Sequence, residues 1–198
     1  VAIPKDFSNK QLKELAKGFK KTAKKFGIEI IGGDTISNIK LDISVTIISK
    51  TKNAVLRSGT KKGNLIAYTG ELGSCKKDLQ KLLDGKKVDK NCKFLKPKLN
   101  PKFFYEISQH ISSAMDISDG LFFELERLSK ANSIGFEFFE KINKEIVDSG
   151  EEYEILFSFD KKHKKTIEKI AKKHNITLNI IAKAFRGKFN SDCKNHHF

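Results

Sequence analysis

Two aspartates three positions apart, Asp116 and Asp119, are the residues of this sequence best suited to chemistry. The run Met-Asp-Ile-Ser-Asp-Gly-Leu at 115–121 joins an apolar segment to an amphipathic one, which predicts a strand that turns into a helix. A helix entry presents free N–H groups to an anion, and paired carboxylates can hold a hard cation that bridges phosphate oxygens. The corner therefore predicts a site for a magnesium-nucleotide complex. A simpler role, in which Asp119 only caps the helix, remains open.

Two other segments could contact such a ligand. Gly32-Gly33-Asp34-Thr35 follows an apolar run, and paired glycines let the backbone approach a ligand closely, although an ordinary turn is the better explanation of this segment alone. Arg57 is the only arginine among the first 126 residues of a chain that otherwise uses lysine. Its guanidinium suits a bidentate pair with phosphate, and a surface ion pair is the alternative.

Apolar periodicity indicates the elements that position these residues. Strands that alternate with helices predict a layered α/β or α+β protein. A polar stretch at 49–53 predicts a domain boundary, with one domain at 1–52 and a second at 53–198. The predicted helices are 8–26, 75–83, 102–112, 121–128, 141–147 and 161–174, and the predicted strands are 28–31, 41–47, 65–69, 111–115, 134–139, 155–159 and 176–185.

Composition narrows the classes of function. The formal net charge of the 198 residues is +15, but only three of the 39 basic residues are arginine. Lysines spread along helices indicate a solvated surface more than a nucleic-acid site, because base and phosphate recognition favours the guanidinium fork. The three cysteines form no C-x-x-C pair, so neither a disulfide framework nor a zinc site is expected. No apolar run is long enough for a membrane span and no signal-peptide pattern is seen, which predicts a cytoplasmic protein.

Three further features are ambiguous. The loop at 70–74 enters a helix through two glycines and could accept phosphate, but it lacks the lysine of a P-loop. The acids at 151–154 precede an apolar strand, where they bind a cationic ligand or are simply solvated. Cys193, His196 and His197 have poor spacing for a metal site, and a frayed terminus is the better explanation.

Taken together, several motifs resemble thiamine-monophosphate kinase, in the order in which that family carries them. The resemblance covers nearly the whole chain from Ile3 onward, and the Asp-Ile-Ser-Asp-Gly-Leu run at 116–121 is its most specific part. The fold it implies is that of the aminoimidazole ribonucleotide synthetase-like proteins, with the tail of an N-terminal αβ domain before a C-terminal α/β domain. The matching segments are 32–35, 43–47, 57–59, 68–70, 72–73, 116–121 and 150–154.

The resemblance implies ATP-dependent phosphorylation of thiamine monophosphate to thiamine diphosphate, with Mg²⁺ as cofactor. No catalytic general base is expected, because the attacking phosphate oxygen is already anionic at neutral pH. By the family pattern the magnesium ligands are Asp34, Asp116 and Asp119. The expected ATP contacts are Gly33, Asp34, Arg57 and Ser118, and the expected substrate contacts are Glu151 and Phe198.

The sequence also departs from the family pattern. Glu152 takes the place of an aspartate in the motif G-E-D-Y-E, and Asn195 that of an aromatic residue. Family chains start well before Val1, with a segment that supplies much of the metal cluster, so the expectation is a truncated chain with little or no activity alone. The family pairs its N-terminal domains into a homodimer. Without neighbouring strands, the predicted strand at 41–48 would be an exposed edge prone to aberrant pairing.

Two alternative functions stay open. One is another ATP-dependent synthetase of the same fold, and the other is a non-catalytic module that binds anions or nucleic acid, which the basic composition would suit. A membrane partner is not expected. The small number of arginines argues against a nucleic-acid partner as well.

Overall fold

The chain divides into two units, Val1–Thr51 and a second unit that starts at Lys52. The computed structural model describes residues 1–191. Within those residues, no helix is both long enough and apolar enough to cross a membrane. The first unit contains β1 (Ala2–Pro4), α1 (Asn9–Phe26) and β2 (Ile36–Asn38), and β1 pairs with β2 in parallel.

Helix α1 forms where the sequence predicts it, because both of its ends are specified by local residues. Ser8 and Gln11 form a reciprocal capping box: the Gln11 N–H donates to Ser8 Oγ (3.3 Å) and the Ser8 N–H donates to Gln11 Oε1 (2.8 Å). Gly27 ends the helix in the left-handed conformation, with φ at 65°. The helix is amphipathic, yet none of its residues is buried.

Two strands predicted in the first unit are wrong. Residues 28–31 and 41–47 form no strand, apart from an isolated bridge between Ala2 and Asp42. Ile31, in the first of these segments, is 82% exposed. Period-two alternation specifies a strand only where a partner strand and a core exist, and no residue of this unit is buried.

The second unit is built on a five-stranded sheet with the order β4-β6-β3-β7-β5, in which every neighbouring pair is antiparallel. The predicted layered αβ class is therefore confirmed, and the antiparallel pairing identifies it as the α+β form. The elements are β3 (Leu65–Thr69), α2 (Ser74–Leu83), α3 (Pro101–Ile107), β4 (Ser113–Ile117), α4 (Leu121–Asn132), β5 (Ile134–Phe138), α5 (Lys144–Val147), β6 (Glu154–Phe159), a 3₁₀ turn (Lys161–His163), α6 (Lys164–Lys173) and β7 (Leu178–Arg186).

Both faces of this sheet are covered. Ile66 and Tyr68 of β3 point to a cluster that includes the apolar residues of α4, whereas Leu65 and Ala67 point to a cluster that includes α3 and α6. All five residues of β3 are buried as a result. The central strand is thus enclosed on both faces by helices, which gives the corner after β4 a rigid support.

Several helix ends differ from the prediction for local reasons. Helix α3 ends at Ile107, five residues early, where Ser108 Oγ donates to the Tyr105 carbonyl (2.8 Å). Asn100 precedes this helix, but its side chain makes no capping hydrogen bond. Helix α5 begins only at Lys144, because Asn143 Oδ1 accepts from the Glu145 N–H (3.0 Å) and caps it there.

Candidate functional site

The predicted corner lies between β4 and α4. Asp116 is the one exposed residue of β4, between the buried Met115 and Ile117. Gly120 occupies the N-cap of α4 with φ at 120°, and no side chain caps the helix. The alternative in which Asp119 merely caps α4 is therefore wrong. A Cβ atom on Gly120 would lie 2.9 Å from the Val147 carbonyl oxygen, so the turn requires glycine.

The loop before β6 packs directly against this corner. The Glu151 N–H donates to the Ser118 carbonyl (2.7 Å) and the Tyr153 N–H donates to the Ile117 carbonyl (2.8 Å). A Cβ atom on Gly150 would lie 2.8 Å from the Ser118 oxygen, which explains the glycine in this motif. Glu151 and Tyr153 have φ values of 59° and 50°, a left-handed conformation that non-glycine residues adopt at a cost of about 1–3 kcal/mol each. These contacts place Glu151 beside Ser118 and the two aspartates.

The charges of three carboxylates act on the hydroxyl group of Tyr153. The hydroxyl donates to Glu151 Oε2 (2.8 Å), and this bond is the largest cause that raises the pKa of Tyr153 to about 12. Burial and the negative charges of Glu151, Asp116 and Asp119 add to the effect. Three of the acids that the sequence singles out thus lie near enough to Tyr153 to influence its pKa. Their oxygen atoms are the hard donors that Mg²⁺ prefers.

The acids do not form a complete metal cage by themselves. Across residues 1–191, no group of three or more His, Cys, Asp or Glu side chains is arranged to hold a metal ion. An open arrangement suits Mg²⁺ bound together with a nucleotide, since this ion usually takes only one or two carboxylates and completes its shell with water and phosphate oxygens. The corner therefore offers carboxylate oxygens of the kind that Mg²⁺ binds and leaves the rest of the shell to other ligands.

Replacing Glu151 with glutamine is expected to lower the pKa of Tyr153 from about 12 towards 10, because both the hydrogen bond and the charge that favour the neutral phenol are weakened. Spectrophotometric titration of tyrosine near 295 nm measures this pKa. Comparison with Tyr153→Phe identifies which part of the titration curve belongs to Tyr153. The unfolded chain loses this proton near pH 10 and the folded one near 12, so the group's contribution to stability falls as the pH rises between these values. A titration unchanged by Glu151→Gln would contradict the observed pairing.

Arg127 and Glu124 lie behind the aspartates on α4. The guanidinium forms ion pairs with the Asp119 carboxylate and with Glu124 Oε1 (2.7 Å). Glu124 Oε1 also accepts weak hydrogen bonds from the Asp119 N–H (3.3 Å) and from Ser118 Oγ (3.4 Å). Burial raises the pKa of the Glu124 carboxyl, which Arg127 partly opposes. The sequence did not identify either residue, because their helical spacing looks like an ordinary surface pair.

Arg57 lies on a loop that is fixed from two sides. Asn132, the last residue of α4, accepts from the N–H groups of Gly59 (2.7 Å) and Thr60 (2.9 Å), and its amide donates to the Arg57 carbonyl (2.9 Å). The Leu56 carbonyl accepts from Ala114 of β4 (3.0 Å). The Arg57 side chain is exposed and has no ion-pair partner within residues 1–191. The alternative of an ordinary surface ion pair is therefore not observed.

Thr60 anchors the end of the same loop in the core. Its hydroxyl lies 2.6 Å from Ser113 Oγ and 2.9 Å from Ser158 Oγ, and those two hydroxyls are 2.8 Å apart. All three residues are buried. The three hydroxyls satisfy one another, so the loop that carries Arg57 is tied to β4 and β6.

Glu152, the residue that departs from the family motif, has a structural role. Its Oε1 accepts from the N–H groups of Gly73 (2.7 Å) and Cys75 (3.2 Å), and its Oε2 pairs with Lys93 Nζ (2.8 Å). Lys93 also pairs with Glu154 Oε1 (2.8 Å). The first turn of α2 thus holds a carboxylate of the protein itself, and the prediction that the loop at 70–74 could accept phosphate is not supported.

The remaining predicted residues either belong to the first unit or lie outside the described residues. Gly33 and Asp34 are exposed in the first unit, where Asp34 Oδ1 accepts from the neighbouring Thr35 N–H (2.7 Å). Phe198 lies outside the described residues, as do Cys193, His196, His197 and Asn195. The roles predicted for these residues stay predictions, as do those of the two domains.

Comparison with known proteins identifies the class first. The family model for AIR synthase related protein, N-terminal domain, matches residues 1–51. A thiamine-monophosphate kinase structure from Aquifex aeolicus superposes with a TM-score of 0.80 at 21% identity, covering 94% of this chain and 69% of that one. An E. coli HypE structure, a hydrogenase maturation protein, gives a TM-score of 0.70 at 12% identity, covering 94% and 66%. The chain has the fold of the AIR synthase-related proteins, as predicted.

Sequence similarity then points to one kind of protein within that fold. Thiamine-monophosphate kinase from Nitrosopumilus maritimus is 32% identical over 191 residues, covering 87% of this chain and 62% of that protein. The enzyme of the same name from Pyrococcus horikoshii is 31% identical over 179 residues, covering 82% and 58%. AaThiL complexed with AMPPCP and TMP superposes with a TM-score of 0.76 at 18% identity, covering 98% and 70%. The resemblance to thiamine-monophosphate kinase is confirmed, and the chain spans about three fifths of the length of these curated relatives.

Proposed function

We propose that this chain serves in the ATP-dependent phosphorylation of thiamine monophosphate to thiamine diphosphate. The observation that carries the proposal is the packing of the loop before β6 against the Asp116 corner, through the hydrogen bonds from the Glu151 N–H to the Ser118 carbonyl (2.7 Å) and from the Tyr153 N–H to the Ile117 carbonyl (2.8 Å). It is joined by the 32% identity to a thiamine-monophosphate kinase. Support for the ligands comes from a relative of the same fold, AaThiL, complexed with AMPPCP, an ATP analogue, and TMP. Magnesium, ATP and thiamine monophosphate are accordingly the proposed cofactor and substrates.

The site residues have distinct proposed roles. Asp116 and Asp119 would hold Mg²⁺, which neutralises charge on the phosphates when it is bound. The magnesium role of Asp34, a residue of the first unit, stays a prediction from the resemblance. Arg57 and Ser118, with Gly33, would contact the nucleotide. Phe198, with Glu151, would contact the substrate.

The acceptor needs orientation more than activation. Its attacking phosphate oxygen is anionic at neutral pH, so no side chain has to remove a proton, and positioning supplies the rate enhancement. The thiazolium ring of thiamine monophosphate carries a positive charge, which a partly exposed carboxylate can attract. Glu151, held by its backbone N–H against the Ser118 carbonyl (2.7 Å), is the residue proposed for this contact.

A ligand-induced shift in melting temperature tests the substrate. The 198-residue chain is measured with Mg²⁺ and AMPPCP, and then with thiamine monophosphate added, or instead with the aminoimidazole or hydrogenase-maturation substrates. We expect the melting temperature to rise further when thiamine monophosphate is added, and not when either of the other substrates is added. Glu151→Gln should lose that further rise and keep the nucleotide shift. A rise with one of the other substrates would instead support a different synthetase of this fold.

The nucleic-acid alternative makes the opposite prediction. A module that binds nucleic acid through its lysines would retain DNA in a salt-dependent way, and Asp116→Asn would leave that retention unchanged.

The proposed homodimer and cytoplasmic location are secondary parts of the proposal, and size-exclusion chromatography with light scattering tests the dimer.

A further inference from the structure

One arginine at the corner is held in place from beneath. The side chain of Arg127 is 43% exposed, whereas its two partners are enclosed, with the side chain of Asp119 12% exposed and that of Glu124 1% exposed. Nη1 lies 2.7 Å from Glu124 Oε1, and Nη2 pairs with Asp119 Oδ2. The planar guanidinium therefore contacts two carboxylates, Glu124 in the core and Asp119 at the corner.

Glu124 fixes the direction of that fork. It is buried on α4, and Oε1 also accepts from the backbone N–H of Asp119 (3.3 Å). Its Oε2 is buried and has no hydrogen-bond partner among the residues that the structure describes. A buried carboxylate is strongly destabilising without a cation beside it, so Arg127 is retained at this position by Glu124 whatever happens at Asp119.

Arg127 and a divalent cation would therefore compete for the Asp119 carboxylate. In the chain alone, Asp119 Oδ2 is paired with Arg127. A divalent cation held by the corner aspartates needs the same oxygen, and Arg127 must share or release it. Asp116 is exposed and carries no ion pair within residues 1–191, so the competition is confined to Asp119.

We propose that Arg127 is a positioning residue that orients the Asp119 carboxylate and competes with the divalent cation for it. The proposal rests on the proposed function, because it presumes that the corner binds the cation. Arg127 makes the site selective for a cation that arrives with phosphate. The negative nucleotide gives the guanidinium a new partner in place of Asp119, while the pair with Glu124 is kept. A bare cation gains no such compensation.

Binding of Mn²⁺ alone, as a paramagnetic substitute for Mg²⁺, tests this in the 198-residue chain. Electron paramagnetic resonance measures the free ion. Arg127→Met removes the competitor, and we expect Mn²⁺ to bind about tenfold more tightly, whereas its affinity in the presence of AMPPCP should rise less or fall. Arg186→Met is the matched control, because Arg186 is exposed at the end of β7, and it should leave Mn²⁺ binding unchanged.

The outcomes separate the two proposals. If the wild-type chain binds Mn²⁺ and Arg127→Met binds it equally or more weakly without nucleotide, the competition is refuted and the metal site stands. If the wild-type chain binds no Mn²⁺ with or without AMPPCP, both proposals fail. Should Arg127→Met not fold, Arg127→Lys is the second variant, because it keeps a charge beside Glu124 but cannot contact both carboxylates as the guanidinium does. Tighter Mn²⁺ binding is again expected, and an unchanged affinity would count against the proposal.

Discussion

Replacing Lys93 with methionine is expected to lower the free energy of unfolding by about 3 kcal/mol. Lys93 Nζ lies 2.8 Å from both Glu152 Oε2 and Glu154 Oε1, and the side chains of these acids are 0% and 8% exposed. Removing the lysine leaves two enclosed carboxylates without their cation. Because methionine keeps most of the aliphatic stem, the loss reports the charge more than the packing.

Urea denaturation followed by circular dichroism measures this effect. Lys98→Met is the matched control, because Lys98 is exposed in the same connector, and we expect a change within about 0.5 kcal/mol. Burial opposes the charge on Lys93, yet its pairs with Glu152 and Glu154 raise the pKa of the ammonium group above the ordinary 10.5. The contribution of Lys93 is thus complete below pH 10.5 and disappears as the pH rises through the higher folded-state pKa. Equal stability of the two variants would show that the buried pairs contribute little.

Replacing Gly59 with alanine is expected to destabilise the second unit by about 3 kcal/mol or more. Gly59 has φ at 125°, and a Cβ atom there would lie 2.3 Å from the backbone oxygen of Ser112. The backbone must move to remove this overlap, which breaks the hydrogen bond from the Gly59 N–H to Asn132 Oδ1 (2.7 Å). The loop that carries Arg57 would lose its support.

Gly63→Ala is the control that separates overlap from backbone strain. Gly63 also has a positive φ, at 89°, but nothing lies within 4 Å of a Cβ atom built on it. We expect this variant to lose about 1–2 kcal/mol in the same urea experiment. If the two alanine variants were equally stable, the close approach of Gly59 to Ser112 would be refuted.

Local signals predicted much of the fold. Ser8 and Gly27 specify both ends of α1, and the apolar runs around Leu65 and Leu156 correctly predicted strands. The strand predicted at 41–47 failed because alternation says nothing about whether a partner strand is present. The Asp116 corner was found because strand, turn and helix are contiguous in sequence.

The supporting contacts of the site could not be predicted in this way. Lys93 contacts Glu152, which is 59 positions away in the sequence, and Asn132 contacts Gly59, which is 73 positions away. Neither residue carries a local pattern, since a lysine in a lysine-rich connector and an asparagine at a helix end are both ordinary. Glu152 was identified only as a departure from a motif, and its position against the first turn of α2 required the fold.

Calorimetric titration of AMPPCP into the 198-residue chain, with Mg²⁺ and then with EDTA, tests the central claim most directly. We expect Mg²⁺-dependent binding that Asp116→Asn weakens at least about tenfold, because the exposed carboxylate at the corner no longer attracts the cation. Asp84→Asn, an exposed acid after α2, should bind as the unmodified chain does. Binding that needs no Mg²⁺, or that Asp116→Asn leaves unchanged, would contradict the account.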